Sequence, residues 1–225
     1  MITPVEDVTR AFADAVVEAF ASRPGPRFAL VLSGGPTARA CYEVLAVTPG
    51  VDWSVTDVYV GDERMVPPDD DDANQRLIRE ALLDRIGPIG SFQPMPTELP
   101  VEECVAAYQR VIGALVTGAG IDVIHLGMGP DGHTASLFPG AATLAAGPGE
   151  LVAATEDPNG VNPHPRYTLT LPAINSARLA VFTVSGASKA DAVAALERGD
   201  DIPAARVHAG RVLWLVDGPA CAIAP

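Results

Sequence analysis

Short, continuous apolar runs alternating with helix-period segments narrow what this chain can fold into more than any other feature. Phe28 to Leu32 is apolar throughout; Ser33-Gly34-Gly35-Pro36-Thr37 follows, then a helix-period stretch from Ala38 to Ala46. An unbroken run of this kind is the pattern of a strand buried on both faces, as in a parallel sheet. The cycle recurs. Strands are expected at Val55–Val60, Ile121–Leu126, Tyr167–Leu171, Arg178–Val184 and Arg211–Val216. Helices are expected at Val5–Ala21, Asn74–Arg85, Val101–Val116 and Lys189–Glu197. Such alternation predicts an α/β fold, with a mainly parallel sheet sandwiched by helices. No internal repeat and no long linker interrupts it, so one domain is expected over residues 1–225.

Composition removes several classes of function. With 48% hydrophobic and 19% charged residues, a sizeable core is available and disorder is not expected. No apolar stretch approaches the roughly 20 residues that cross a bilayer. Met1-Ile2-Thr3-Pro4-Val5-Glu6 shows neither the basic nor the apolar region of a secretory signal, and a cytoplasmic protein is expected. Cys41, Cys104 and Cys221 are too scattered for a disulfide framework or a zinc ribbon. His125, His133, His164 and His208 share no ligand motif, so neither a metal nor a cofactor is expected. The run Asp69-Asp70-Asp71-Asp72 reads as a solvated loop whose charge suits the start of the next helix. A net charge of −13 disfavours nucleic acid as a partner. Of the 15 basic residues Lys189 is the only lysine, which either marks a needed ammonium or reflects drift on a helix surface.

Parallel α/β folds bind ligands beyond the carboxyl ends of their strands, and four polar segments fall there. Ser33-Gly34-Gly35-Pro36-Thr37 can bring backbone N–H groups to an anion at a helix start. Gly61-Asp62-Glu63-Arg64 sets two carboxylates and a guanidinium after a strand. Gly127-Met128-Gly129-Pro130-Asp131-Gly132-His133 places an acid and an imidazole two residues apart among glycines. Pro165-Arg166 and Gly186-Ala187-Ser188-Lys189 add two cations. Taken singly, each also fits a plain turn or an exposed loop. His125, inside a strand, reads as structural.

Together these segments resemble the 6-phosphogluconolactonases, within the group that includes glucosamine-6-phosphate deaminases. The match runs from Ser33-Gly34-Gly35 to Asp217 and is strongest over Gly127 to Gly140, with Gly61-Asp62-Glu63-Arg64, Val66-Pro67 and Arg166 to Pro172 beside it. The family's first loop usually reads Ser-Gly-Gly-Ser-Thr-Pro; Pro36 and Ala38 replace its second Ser and its Pro, with the expected loss of one hydroxyl and one N–H. The resemblance implies a Rossmann-like fold and hydrolysis of 6-phospho-D-glucono-1,5-lactone by a monomer or weak homodimer. It implies a catalytic His133 with Asp131, and a phosphate held by Gly34, Gly35, Thr37, Arg64, Arg166 and Lys189. Asp62, Glu63, Gly127 and Gly129 become further candidate substrate contacts, the loop around Gly127–Gly129 as N–H donors to an oxyanion. No serine or cysteine stands in a nucleophile elbow, which disfavours an acyl-enzyme. Two other readings are weaker. A deaminase-isomerase relative would carry Glu where Phe138 stands and Tyr in place of Arg64. A repressor's sugar-phosphate sensor needs a DNA-binding segment that the stretch before Phe28 is too short to hold.

Overall fold

The computed structural model describes residues 2–221. Asp7 starts the first helix, α1 (Val8–Ala21), by accepting the N–H groups of Thr9 at 2.9 Å and Arg10 at 3.1 Å. Its Phe12, Val16 and Phe20 are buried. Strand β2 (Phe28–Leu32) is buried at every position. It leads through Gly35, at φ +105°, into α2 (Pro36–Val47). After β3 (Thr56–Val60) come a short β4 (Asp62–Arg64) and α3 (Asn74–Ala81). The chain continues through β5 (Ser91–Gln93), α4 (Val101–Thr117) and β6 (Val123–Leu126). It then forms β7 (Val152–Thr155), β8 (Arg166–Leu169), α5 (Leu171–Asn175) and β9 (Leu179–Val184). Helix α6 (Ala190–Arg198) and β10 (Arg211–Val216) complete it, with β1 (Ile2–Pro4) at the start.

Seven strands form one parallel sheet in the order β1-β10-β9-β6-β2-β3-β5. The chain moves outward from β2 through β3 to β5, then returns to lay β6 on the other side of β2. Leu30 faces Val123 and Val31 faces Ile124 across that junction. A reversal of strand order opens a crevice at the carboxyl ends of the two strands, because their following loops leave in opposite directions. The segments after β2 and β6 are Ser33-Gly34-Gly35 and Gly127-Met128-Gly129, so the fold brings two of the motifs together.

A second sheet, β4-β8-β7, is antiparallel. Its presence corrects several expectations. Asp62-Glu63-Arg64 is a strand rather than an open loop, because β8 pairs with it. The strand expected at Tyr167–Leu171 begins at Arg166 and ends at Leu169, and Pro172 lies in the first turn of α5, where a missing N–H costs nothing. Helix α3 stops at Ala81 and a 3₁₀ turn covers Leu83–Arg85. Strands β1, β5 and β7 are too short to announce themselves by period.

The acidic run forms the expected loop before helix α3, where Asp71 pairs with Arg76 at 2.7 Å and Asp72 offers its carbonyl to Arg64, but it supplies no side-chain cap. Glu63 supplies the cap from β4. Its carboxylate accepts the N–H groups of Arg64 at 2.8 Å, Asn74 at 2.7 Å and Gln75 at 2.7 Å. Burial pushes this carboxyl up to about 7, against the pull of those donors. Glu63→Ala leaves three N–H groups unmet in either protonation state. It should cost at least about 2–3 kcal/mol. Thermal melting checks this, at roughly 2–4 °C per kcal/mol.

Candidate active site

A cavity of about 500 Å³ opens at the strand reversal, lined from the loops after β2, β6 and β9 and from β4 and β8. It contains most of the residues singled out from sequence: Gly34, Gly35, Thr37, Asp62, Arg64, Gly127, Gly129, His133, Arg166 and Lys189.

The loop after β6 is shaped around one hydrogen bond. His133 Nδ1 lies 2.6 Å from Asp131 Oδ1. A carboxylate only accepts, so Nδ1 carries the proton and Nε2 is left as the basic nitrogen. Partial burial would raise the Asp131 carboxyl, but the hydrogen bond and charge of His133 outweigh it and hold it below the usual carboxylate range. Gly129 stands against this pair so closely that a Cβ there would overlap His133 Nδ1 and Asp131 Oδ1. Its N–H donates to the His133 carbonyl at 2.9 Å, so Gly129 closes the loop and its N–H is not open to an oxyanion. Gly132, at φ +80°, turns the chain between Asp131 and His133, and its carbonyl accepts Ala204 N–H at 3.0 Å. Phe138 is buried and its ring packs 5.0 Å from the His133 imidazole.

The cations come from three directions. Arg64 and Arg166 are direct partners across the β4–β8 ladder. Like charges opposed in this way repel, and the arrangement is relieved when an anion lies between them. Burial lowers the Arg166 pKa and Arg64 lowers it further, while the charge of Asp62 works the other way. Lys189 ends a 3₁₀ turn, Ala187–Lys189, that leads into α6; burial lowers its pKa and the Asp131 charge pulls it back up. Among the described residues none of these three cations is in a salt bridge. The start of α2 adds donors. Pro36 has no N–H, but Ala38 has one where the family's usual proline would not, so the expected net loss of an N–H does not occur. The lost hydroxyl stands.

Other residues fall into place around these. Asp62 lines the cavity and accepts Ser136 Oγ at 2.8 Å. Glu63 does not line it: as the cap of α3 its carboxylate is already used, which removes it as a substrate contact. His125 touches the cavity floor, but Nδ1 lies 2.8 Å from the Tyr42 hydroxyl and Nε2 2.8 Å from Thr183 Oγ1. Burial drops its pKa to about 3, so it stays neutral and structural. Sequence reasoning missed Asn74, whose Nδ2 donates to the Asp62 carbonyl at 2.7 Å and whose Oδ1 would collide with any Cβ on Gly34. It also missed Asp217 as an anchor. Asp217 takes the Ser185 hydroxyl at 2.5 Å and the Gly186 N–H at 3.0 Å, fixing the loop that delivers Lys189. Neither side chain sits in a chemically suggestive local pattern.

A family model for glucosamine-6-phosphate isomerases/6-phosphogluconolactonase matches residues 4–214. The chain belongs to this family. It is 36% identical over 207 residues to a 6-phosphogluconolactonase of Nostoc sp., covering 86% of this chain and 83% of that one. Within the family, the crystal structure of 6-phosphogluconolactonase from Thermotoga maritima superposes with a TM-score of 0.81 at 32% identity, covering 96% of this chain and 99% of that one. A monomeric glucosamine-6-phosphate deaminase shares the fold, with a TM-score of 0.82 at 19% identity over 99% of both chains. The helices described include none long and apolar enough to cross a membrane.

The tight packing at Gly129 carries a test. Gly129→Ala should push His133 away from Asp131 while leaving the sheet intact. Turnover should fall by about 10²-fold or more. Unchanged turnover in steady-state assays would show that the pair tolerates the displacement.

Proposed function

We propose that this protein hydrolyses 6-phospho-D-glucono-1,5-lactone to 6-phospho-D-gluconate, the second step of the oxidative pentose phosphate pathway, using a water activated by His133. One observation carries the reading: His133, held by Asp131 behind it at 2.6 Å, lines the same cavity as Arg64, Arg166 and Lys189. An imidazole oriented for proton transfer and a cluster of cations without carboxylate partners suit an ester joined to a phosphate.

The phosphate dianion is gripped by Arg64, Arg166 and Lys189 and by N–H groups around Gly34, Gly35 and Thr37. Arginine supplies planar forks and lysine a compact charge. Water attacks the lactone carbonyl carbon as His133 Nε2 takes its proton. Asp131 stabilises the imidazolium that results. Collapse of the tetrahedral intermediate breaks the bond to the ring oxygen, which receives the proton back from Nε2. No covalent enzyme intermediate and no cofactor enters this sequence. Phe138 gives the loop an apolar ring beside His133, with no proton to move for amino-sugar chemistry. We further read the protein as a single cytoplasmic domain, monomeric or weakly dimeric, with no nucleic-acid partner, its net charge of −13 disfavouring the last.

The direct experiment generates the δ-lactone in situ with glucose-6-phosphate dehydrogenase and compares ring opening with and without the protein, subtracting the uncatalysed rate at each pH. His133→Asn should lower turnover by roughly 10²- to 10⁴-fold with a much smaller change in KM. A variant that retains near wild-type turnover would remove His133 from the mechanism and leave Asp62 as the candidate base. Lys189→Ala should raise KM about 10- to 150-fold, the equivalent of roughly 1.5–3 kcal/mol for a charged hydrogen bond. Kinetics unchanged within about twofold would place Lys189 outside the phosphate grip.

A further inference from the structure

Asn162 lines the cavity but belongs to none of the segments that carry the proposed chemistry. It ends a tight turn organised by Asp157. The Asp157 carboxylate accepts the N–H groups of Asn159 at 2.9 Å, Val161 at 3.2 Å and Asn162 at 3.1 Å, and also Asn162 Nδ2 at 2.8 Å. Gly160, at φ +66°, makes the reversal possible, and its N–H donates to the Asp157 carbonyl at 3.0 Å. The far side of the loop is anchored as well. His164 Nε2 lies 3.0 Å from Asp72 Oδ2, and the Pro165 carbonyl accepts Met65 N–H at 2.9 Å.

This anchoring decides which end of the Asn162 amide is available. A carboxylate cannot donate, so the amide nitrogen must face Asp157 and Oδ1 must be the remaining group. The Asn162 amide and the turn's N–H groups hold the Asp157 carboxyl below the usual carboxylate range, which keeps the clamp ionised around neutral pH. Asn162 Oδ1 has no hydrogen-bond partner among the described residues.

The rest of the cavity supplies mostly donors. Arg64, Arg166, Lys189 and the N–H groups at the start of α2 suit phosphate oxygens, but none of these donors can accept a hydrogen bond from a hydroxyl. Asp131 Oδ1 is committed to His133 and one oxygen of Asp62 to Ser136, while Asn74 Oδ1, the other amide oxygen of the lining without a partner, is buried against the Gly34 backbone. A sugar lactone brings hydroxyl protons that need acceptors. We infer that Asn162 is a specificity-determining residue, its Oδ1 accepting a hydrogen bond from one ring hydroxyl of the sugar lactone. The inference rests on the lactonase reading above and adds to it a contact with the sugar.

Steady-state kinetics of wild type and Asn162→Ala, on the parent lactone and on its 2-deoxy, 3-deoxy and 4-deoxy forms, test it. On the parent, Asn162→Ala should lower kcat/KM by about 5- to 30-fold. Its melting temperature should stay within about 4 °C of wild type, since the variant loses the Nδ2 bond to Asp157 but keeps the three backbone N–H bonds to that carboxylate. On one deoxy lactone the two proteins should agree within about twofold, because the hydroxyl and its acceptor form a single coupled pair. Equal activity of the two proteins on the parent overturns the inference, as does the same loss on every lactone. If wild type fails to accelerate any ring opening, the lactonase reading falls and this inference with it. Acceleration that Asn162→Ala leaves intact overturns the inference alone.

Discussion

The pairing of β2 with β6 is the constraint from which the site follows. Once Leu30 and Val31 are held beside Val123 and Ile124, the loops after both strands must leave the sheet edge side by side. One begins an α-helix with a glycine at φ +105°, and the other folds back as the Asp131–His133 loop. Burial of both strands drives this pairing, and the Ser33 hydroxyl, donating to the His125 carbonyl at 2.8 Å, ties their ends together. The site is therefore a by-product of core packing at a place where the chain reverses its direction across the sheet.

The small antiparallel sheet then adds the electrostatics. It places Arg64 against Arg166 in a ladder, an unfavourable pair in the absence of ligand. The strain is met on the protein side by Glu63, whose carboxylate ties β4 to α3, and by the Asp72 and His164 carbonyls, which accept from the two guanidinium groups. A chain of net charge −13 thus concentrates positive charge in one cavity. The general field repels an anionic substrate, while the local field draws it over the last few ångströms. Salt weakens both, so binding is sensitive to ionic strength through two opposing terms.

Close packing adds to hydrogen bonding in ordering the Asp131–His133 loop. Gly129 allows the acid and the imidazole to sit against the backbone, and Gly132 turns the chain under Ile202 with no room for a side chain. Ala135, at φ +48°, adds a backbone conformation that L-residues rarely adopt, immediately after His133 and Thr134. Such a loop keeps its geometry before substrate arrives, which reduces the reorganisation needed during reaction.

The alternation of apolar runs and helix-period segments was enough to determine a parallel α/β core, because β2, β6 and β9 are buried on both faces and are apolar apart from His125 and Thr183. The Gly-rich segments, Asp131 with His133, and the cations were legible for the same reason: their chemistry is local and their glycines mark turns. Three things were decided only in the tertiary structure. Glu63 looks like a site residue beside Asp62, yet alternation along β4 sends it to the opposite face, where it caps α3. Arg64 and Arg166 are about a hundred residues apart and become neighbours only through the antiparallel register. Asp157, Asn162 and Asp217 sit in ordinary loop sequence, and what they hold is set by backbone N–H groups whose directions no residue pattern encodes. Side-chain chemistry is written in the sequence, but the partner of each polar group depends on how strands pair across long separations.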